Sequence, residues 1–289
     1  MGFTIRTPKN DDYLSIEKLY TQKKGQFIDD REKINFRRYL NLNSRLIKVA
    51  VNKKELLGYV IGYQNNERKA RIFSIYVKPL HRKKRIGSDL LHSYENFLLN
   101  DQLNLEYLSV GMSEKYFSSI GFFEKSGFNL ITKINIYKKN DMNFPFAINP
   151  NVIIRQATYD DIQELREIED KSFSRFWRFS SEDFIFRILS ERNSFFVALI
   201  DKKIVGYNYN TLSLNGTDGY YVRIATHPNY RQKQISTTLT SNAINWFRLK
   251  NVRRISLSTY ADSKVHNQMY QSWGFKFSEH EIILAKKFI

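Results

Sequence analysis

Apolar and polar positions along the chain follow one order, and the chain runs through that order twice. Thr4-Ile5-Arg6 opens it, then Asp11-Asp12 starts a helical pattern on Tyr13, Ile16, Leu19 and Tyr20. Leu46 to Val51 and Leu56 to Gly62, separated by a polar turn at Asn52 to Glu55, predict a hairpin. A run from Ile72 to Val77 predicts a strand, and Leu90, Leu91, Tyr94, Phe97 and Leu98 recur at helical spacing. A strand over Leu105 to Val110, a short helix ending in Phe123 to Phe128 and a last strand over Leu130 to Tyr137 complete the first pass.

About 148 residues later the same elements return. Ile153-Ile154-Arg155 precedes Asp160-Asp161 and a helix on Ile162, Leu165 and Ile168. Phe195 to Leu199 and Ile204 to Tyr207 repeat the hairpin, Tyr220 to Ala225 the strand, and Leu239, Ala243, Trp246 and Phe247 the helix. Arg254 to Ser258, Tyr270 to Phe275 and Glu281 to Lys286 close the second pass. A period this long describes duplicated domains rather than a solenoid. Lys138 to Asn151, with Pro145 and Pro150, lacks periodicity and reads as a connection. The expected domains are residues 1–140 and 152–289, joined by a linker over 141–151, each an α/β layer fold.

Between strand and helix in each half lies a basic turn: Pro79 to Ser88 in one, Pro228 to Thr237 in the other. A strand, a short turn and a helix start present free backbone N–H groups to an anion. The chain has 289 residues and a formal charge of +17, which favours anionic ligands and leaves nucleic acid open as a partner. It has no cysteine, which removes disulfides, thiolate metal sites and cysteine nucleophiles. Its five histidines lack metal-ligand spacing. There is neither a Gly-x-Ser-x-Gly elbow nor a Walker loop. No apolar stretch approaches the ~20 residues of a membrane helix, so a soluble, cytoplasmic protein is expected.

These turns and their surroundings resemble the GCN5-related N-acetyltransferase (GNAT) superfamily. Its Gln/Arg-x-x-Gly-x-Gly/Ala signature is matched by Arg82-x-x-Arg85-x-Gly87 and by Arg231-x-x-Gln234-x-Ser236, each preceded by a proline. A second signature, Tyr-x-x-x-Gly-Phe, is intact at Tyr270 to Phe275 and stands as Phe123 to Phe128 in the first copy. The resemblance implies two tandem GNAT-like domains, each a mixed, mostly antiparallel sheet flanked by helices.

It further implies acetyl-CoA as cofactor, its pyrophosphate at the start of the helix near Gly87 or Ser236. The residues expected around it are Arg82, Lys83, Lys84, Arg85, Ile86, Gly87 and Ser88 in the first half. Arg231, Gln232, Gln234, Ile235 and Ser236 are their counterparts in the second. The pantetheine arm is expected to bond like an extra strand to backbone at Ile75 and Val77, or at Ala225 and His227. Arg85 and Gln234 replace the family's first glycine; where that position requires a positive φ, binding is weakened. On this reading the first half is the better cofactor site.

By the same resemblance Tyr270 supplies a proton to the departing thiolate, which Phe123 cannot do. No carboxylate stands in Phe73-Ser74-Ile75 or Val222-Arg223-Ile224, where the family often carries its base. Glu279, His280 and Glu281 read as exposed strand residues, and His81 and His227 as solvated or beside phosphate. The expected activity is acetyl transfer to a primary amine of a small molecule or peptide. Two alternatives stand beside it: a CoA-binding sensor with decayed catalysis, and an aminoacyl transferase using charged tRNA.

Overall fold

The structure is a computed structural model describing residues 2–22, 44–53, 55–66, 68–100, 105–213 and 215–288. Part of the turn expected at Asn52 to Glu55, Lys54, lies outside the described residues. Along the chain come β1 (Thr4–Arg6), α1 (Asp12–Gln22), β2 (Ile47–Asn52), β3 (Glu55–Asn66) and β4 (Lys69–Val77). Then follow α2 (Ile86–Asn100), β5 (Tyr107–Ser113), α3 (Ile120–Lys125) and β6 (Asn129–Lys139). The second pass has β7 (Ile153–Gln156), α4 (Ile162–Ser172), α5 (Ser181–Leu189), β8 (Asn193–Ile200) and β9 (Lys203–Leu212). It continues with β10 (Asp218–Thr226), α6 (Ile235–Leu249), β11 (Arg254–Tyr260), α7 (Lys264–Ser272) and β12 (Lys276–Lys287). Among the described residues no helix is long and apolar enough to cross a membrane.

The residues form two compact units, and the units do not follow chain order. The first comprises residues 1–134 and 279–289, the second 135–278. In the first, strands run β1-β2-β3-β4-β5-β12; in the second, β7-β8-β9-β10-β11-β6. The expectation of a last strand closing its own half is therefore corrected. β12 pairs antiparallel with β5, from Glu281 opposite Ser113 to Lys287 opposite Tyr107.

Side chains explain the exchange. Ile282 and Leu284 join Leu90, Leu98, Leu108 and Val110 in the apolar core of the first unit. Glu281 accepts from Arg71 at 2.7 Å, and Lys286 donates to Glu95 at 2.9 Å and to the Ser126 carbonyl at 3.1 Å. Gly111 makes room for the first pair, since a Cβ there would collide with both Arg71 and Glu281. Glu281 is thus buried rather than exposed. In the second unit Tyr137 of β6 donates to Asn267 Oδ1 at 2.7 Å. The connecting segment is not loose either: Phe144 packs on Trp273, ring centroids 5.5 Å apart, and Asn149 Nδ2 donates to the Lys233 carbonyl at 3.0 Å.

Each unit begins with the same local lock. Arg6 grips Asp12 through both guanidinium nitrogens, and the Lys9 N–H donates to the same carboxylate. Arg155, Asp161 and the Thr158 N–H repeat this arrangement. A carboxylate at a helix start also meets the positive end of the dipole.

Two register features shape the clefts. β3 and β4 slip between Ile61 and Gly62, leaving Phe73 extra; β9 and β10 slip between Tyr221 and Arg223, leaving Val222 extra. Beyond those bulges the parallel neighbours separate. β4 and β5 pair only from Lys69–Tyr107 to Ile72–Val110, and β10 and β11 only from Asp218–Arg254 to Tyr221–Leu257. Residues 73–77 and 222–226 therefore line one side of an open wedge in each unit.

Candidate functional site

The wedge exposes main chain in a determined register. In an antiparallel ladder, residues alternate between facing one neighbour and the other. Lys78 N–H donates to the Leu57 carbonyl at 2.9 Å, so Tyr76 also faces β3, while Ile75 and Val77 face the wedge. In the second unit His227 N–H donates to the Val205 carbonyl at 2.9 Å. His227 and Ala225 consequently face β9, and the residues equivalent to Ile75 and Val77 are Ile224 and Thr226. The expected pair Ala225 and His227 is corrected by one position: with the two turns aligned on Pro79 and Pro228, Thr226 rather than His227 stands where Val77 does.

At the mouth of each wedge the two basic turns have one conformation. A short 3-10 turn, Pro79–His81 or Pro228–Tyr230, ends at an extended Arg82 or Arg231. Lys83 and Arg85 then have φ of 58° and 65°, and Gln232 and Gln234 have 63° and 55°. Left-handed residues alternating with others turn successive N–H groups to one side, the concavity that binds anions. The first bond of each helix is Asp89 N–H to the Arg85 carbonyl or Thr238 N–H to the Gln234 carbonyl. The N–H groups of the intervening residues, 86–88 and 235–237, are left over from helix bonding and point out of the helix end.

Arg85 and Gln234, the residues in place of the family's glycine, thus occupy a position that does take positive φ. That costs a non-glycine residue roughly 1–2 kcal/mol. Both halves bear it, so it does not favour the first.

The candidates divide by what their side chains do. Ile86 and Ile235 turn inward and are buried, leaving only their N–H groups for a ligand. Lys83, Lys84, Arg85, Ser88, Gln232 and Gln234 are exposed. Arg82 donates from Nε to the Val77 carbonyl at 3.0 Å, and Lys84 donates to the Leu80 carbonyl at 3.1 Å. A Cβ on Gly87 would make ordinary contacts, 3.5 Å from Phe122 and 3.7 Å from Val77. Ser236, its equivalent, shares a hydrogen bond with Thr226 at 3.1 Å. His227 is buried rather than solvated, with Lys171 Nζ 3.0 Å from Nε2. Burial, and then the Lys171 charge, lower its pKa.

Tyr270 and Phe123 occupy equivalent places and differ in chemistry. Phe123 is fully buried in the apolar core of the first unit. Tyr270 packs edge-on against Tyr221, Trp273 and Phe275, at 6.4, 5.7 and 6.1 Å between ring centroids. Burial raises its pKa well beyond the ordinary phenol range, which keeps the hydroxyl protonated as a donor.

One cluster escapes the sequence reading. Arg223, charged within an otherwise uncharged stretch of β10, pairs with buried Glu169 of α4 and donates to the Trp177 carbonyl at 2.9 Å. Its guanidinium also lies 3.9 Å from the Phe179 ring centroid. Glu169 accepts in addition from Tyr207 and from the Phe179 N–H. With that many donors, Glu169 is poorly suited to remove a proton from a substrate; it holds the segment after α4 against the sheet.

Comparisons with known proteins agree with this architecture. The sequence model of the "Acetyltransferase (GNAT) family" matches twice, over residues 13–128 and 162–275, more than half of the chain. A GCN5-related N-acetyltransferase from Sphaerobacter thermophilus superposes with a TM-score of 0.73 at 16% identity, covering 99% of this chain and 95% of that one. A tandem GNAT protein from the clavulanic acid biosynthesis pathway gives 0.69 at 14% identity, covering 99% and 98%. At those identities the likeness is one of fold. The Xenopus tropicalis protein named "Probable N-acetyltransferase camello" is 32% identical over 97 residues, 33% of this chain. The match spans 44% of that relative's length. With both copies of the domain matched in order, the chain belongs to the GNAT acetyltransferase family, of which it is a tandem-domain member.

Proposed function

We propose that the chain transfers the acetyl group of acetyl-CoA to a primary amine of a small molecule or peptide, and that the second unit performs the chemistry. The observation that carries this reading is the coincidence, within that unit, of open wedge, anion-binding turn and protonated Tyr270. The first unit has the wedge and the turn but places Phe123 where the hydroxyl would be.

The residues present fit the cofactor. The N–H groups at the start of α6 and the left-handed Gln232 and Gln234 suit a diphosphate. Arg231 and Lys233 add positive charge, and Ile224 and Thr226 offer backbone bonds to an extended amide arm. When bound, acetyl-CoA would supply a thioester carbonyl for attack and a thiolate as leaving group. A neutral amine would attack that carbonyl, the C–N bond forming as the C–S bond breaks, and the proton the nitrogen sheds on becoming an amide would pass to solvent water. Tyr270 would donate its phenolic proton to the departing sulfur. Because burial disfavours tyrosinate, the hydroxyl regains its proton from solvent between turnovers.

Calorimetry with acetyl-CoA and free CoA, followed by thiol release across an amine panel, tests the reading. Tyr270→Phe is expected to lower turnover about a hundredfold, the lower range for one general acid, with acetyl-CoA affinity retained. Equal turnover in that variant would remove Tyr270 from the mechanism. Absence of binding heat from either form of the coenzyme would overturn the assignment as a whole. Binding without turnover on any amine would favour the sensor alternative, for which Phe123 in the first unit is the supporting observation.

A further inference from the structure

The duplication provides an internal control, because the two units place different chemistry at equivalent buried positions. Register equates Val60 with Asn208, Gly62 with Asn210 and Ile72 with Tyr221. Counting from the start of the helices equates Leu91 with Thr240, and the second family signature equates Phe123 with Tyr270. In the first unit Val60, Ile72, Leu91 and Phe123 belong to one apolar core. In the second the same places hold an amide and three hydroxyls, all buried.

Two pairs among the equated polar residues are bonded, Tyr221 with Thr240 of α6 and Asn208 with Asn210. Thr240 donates to the Ser236 carbonyl at 2.7 Å, and its oxygen lies 2.7 Å from the Tyr221 hydroxyl. Since Thr240 has one hydroxyl proton and gives it to Ser236, Tyr221 is the donor in the second bond. Asn208 donates to the Arg223 carbonyl at 2.9 Å. Asn210 donates to Ser194 at 3.0 Å and to Asn208, while its own Oδ1 has no hydrogen-bond partner. Burying such groups is unfavourable unless every one is matched. The first unit shows that this fold closes with apolar residues there, so folding does not call for them.

Both ends of the hydroxyl relay lie at the proposed site. One end is the Ser236 carbonyl, in the first turn of α6, whose hydroxyl is also tied to Thr226. The other is the Tyr221 ring, against which the Tyr270 ring packs edge-on. We infer that Tyr221 and Thr240 are positioning residues: they fix the helix mouth relative to β10 and orient the ring that sets the pose of Tyr270. The inference rests on the functional reading above and adds to it. It assigns the second unit a support at positions where the first has apolar packing.

The test uses the full chain with Tyr221→Phe, Thr240→Val, the double variant and Thr240→Ser. Three quantities are read: melting temperature, acetyl-CoA affinity by calorimetry, and the 13Cζ NMR signal of Tyr270 as a function of pH. Removing both hydroxyls together leaves no orphaned partner on either side chain. The double variant should therefore keep or raise its melting temperature. It should bind acetyl-CoA about two- to tenfold more weakly, the worth of one hydrogen bond, and shift the Tyr270 signal. Thr240→Ser should restore wild-type values. A double variant with wild-type affinity and Tyr270 signal would overturn the inference, as would one that only melts earlier. If the wild-type chain itself gives no heat with acetyl-CoA, the functional reading fails. The Tyr270 signal then still decides whether the relay orients that ring.

Discussion

Leu284→Ala separates the observed units from a division by chain order. Leu284 is fully buried, in a core with Leu90, Leu98, Leu108 and Val110, although it lies five residues from the chain's last position. Truncating such a leucine removes its transfer free energy and leaves a cavity, about 2–5 kcal/mol in all. A domain's total stability is roughly 5–15 kcal/mol, so the loss is a large share of the first unit's. At tenfold per 1.4 kcal/mol, amides exposed by opening of that unit should exchange at least about thirtyfold faster. Hydrogen exchange read by mass spectrometry assigns the loss to a place. The strands over 47–51 and 108–112 should lose protection, while 195–198 and 255–257 should retain it. Tyr137→Leu should do the reverse, since the Tyr137 ring is buried in the second unit's core and its hydroxyl bonds Asn267. Loss of protection confined to residues 195–260 in Leu284→Ala would refute the exchange of last strands.

Other variants probe the turns and the opening locks. Gln234→Gly should be neutral or stabilising by up to about 1 kcal/mol: relief of the left-handed strain outweighs or matches the added chain entropy. Gln234→Val, β-branched at a φ of 55°, should lower the melting temperature instead. Asp161→Asn tests the second lock. Burial alone would raise the Asp161 pKa, but the Arg155 bonds and the Thr158 N–H overcome it and hold the pKa below the ordinary carboxylate value. A depressed carboxylate contributes stability that is fully present above its unfolded pKa, near 3.9. That contribution disappears as pH falls through the folded value. Because Arg155 is 40% exposed, the expected loss is about 1–2 kcal/mol. It should be constant from pH 5 to 8 and shrink below about pH 4 in denaturant titrations. A loss unchanged at pH 3 would show that the ion pair is not its source.

Much of this protein was legible in the residues. The repeated order of elements, the helix starts at paired aspartates and the two basic turns all follow from local periodicity and composition, which each stretch of chain carries by itself. The contrast between Tyr270 and Phe123 stands in the residues too, but the role it bears on is what the resemblance implies. Resemblance then supplied the fold, and the family match agrees. Register was harder. Both units carry the same bulge, at Phe73 and Val222, and the ladder bonds of Lys78 and His227 to the neighbouring strand decide that Val77 and Thr226, not His227, face the wedge. Arg223 looked like the absence of a base; its partner Glu169 lies 54 residues earlier in the chain, and no local pattern links them.

The sequence by itself determined what the elements are, because strand, turn and helix depend on neighbours a few residues apart. Only the tertiary structure decided which last strand completes which sheet. Leu130 to Tyr137 and Glu281 to Lys286 have equally strand-like patterns; what distinguishes them are cores and ion-pair partners more than a hundred residues away. The same holds for the relay under α6. Tyr221 and Thr240 are unremarked residues in the sequence, and they acquire a role only when folding buries them face to face at positions the other unit fills with isoleucine and leucine.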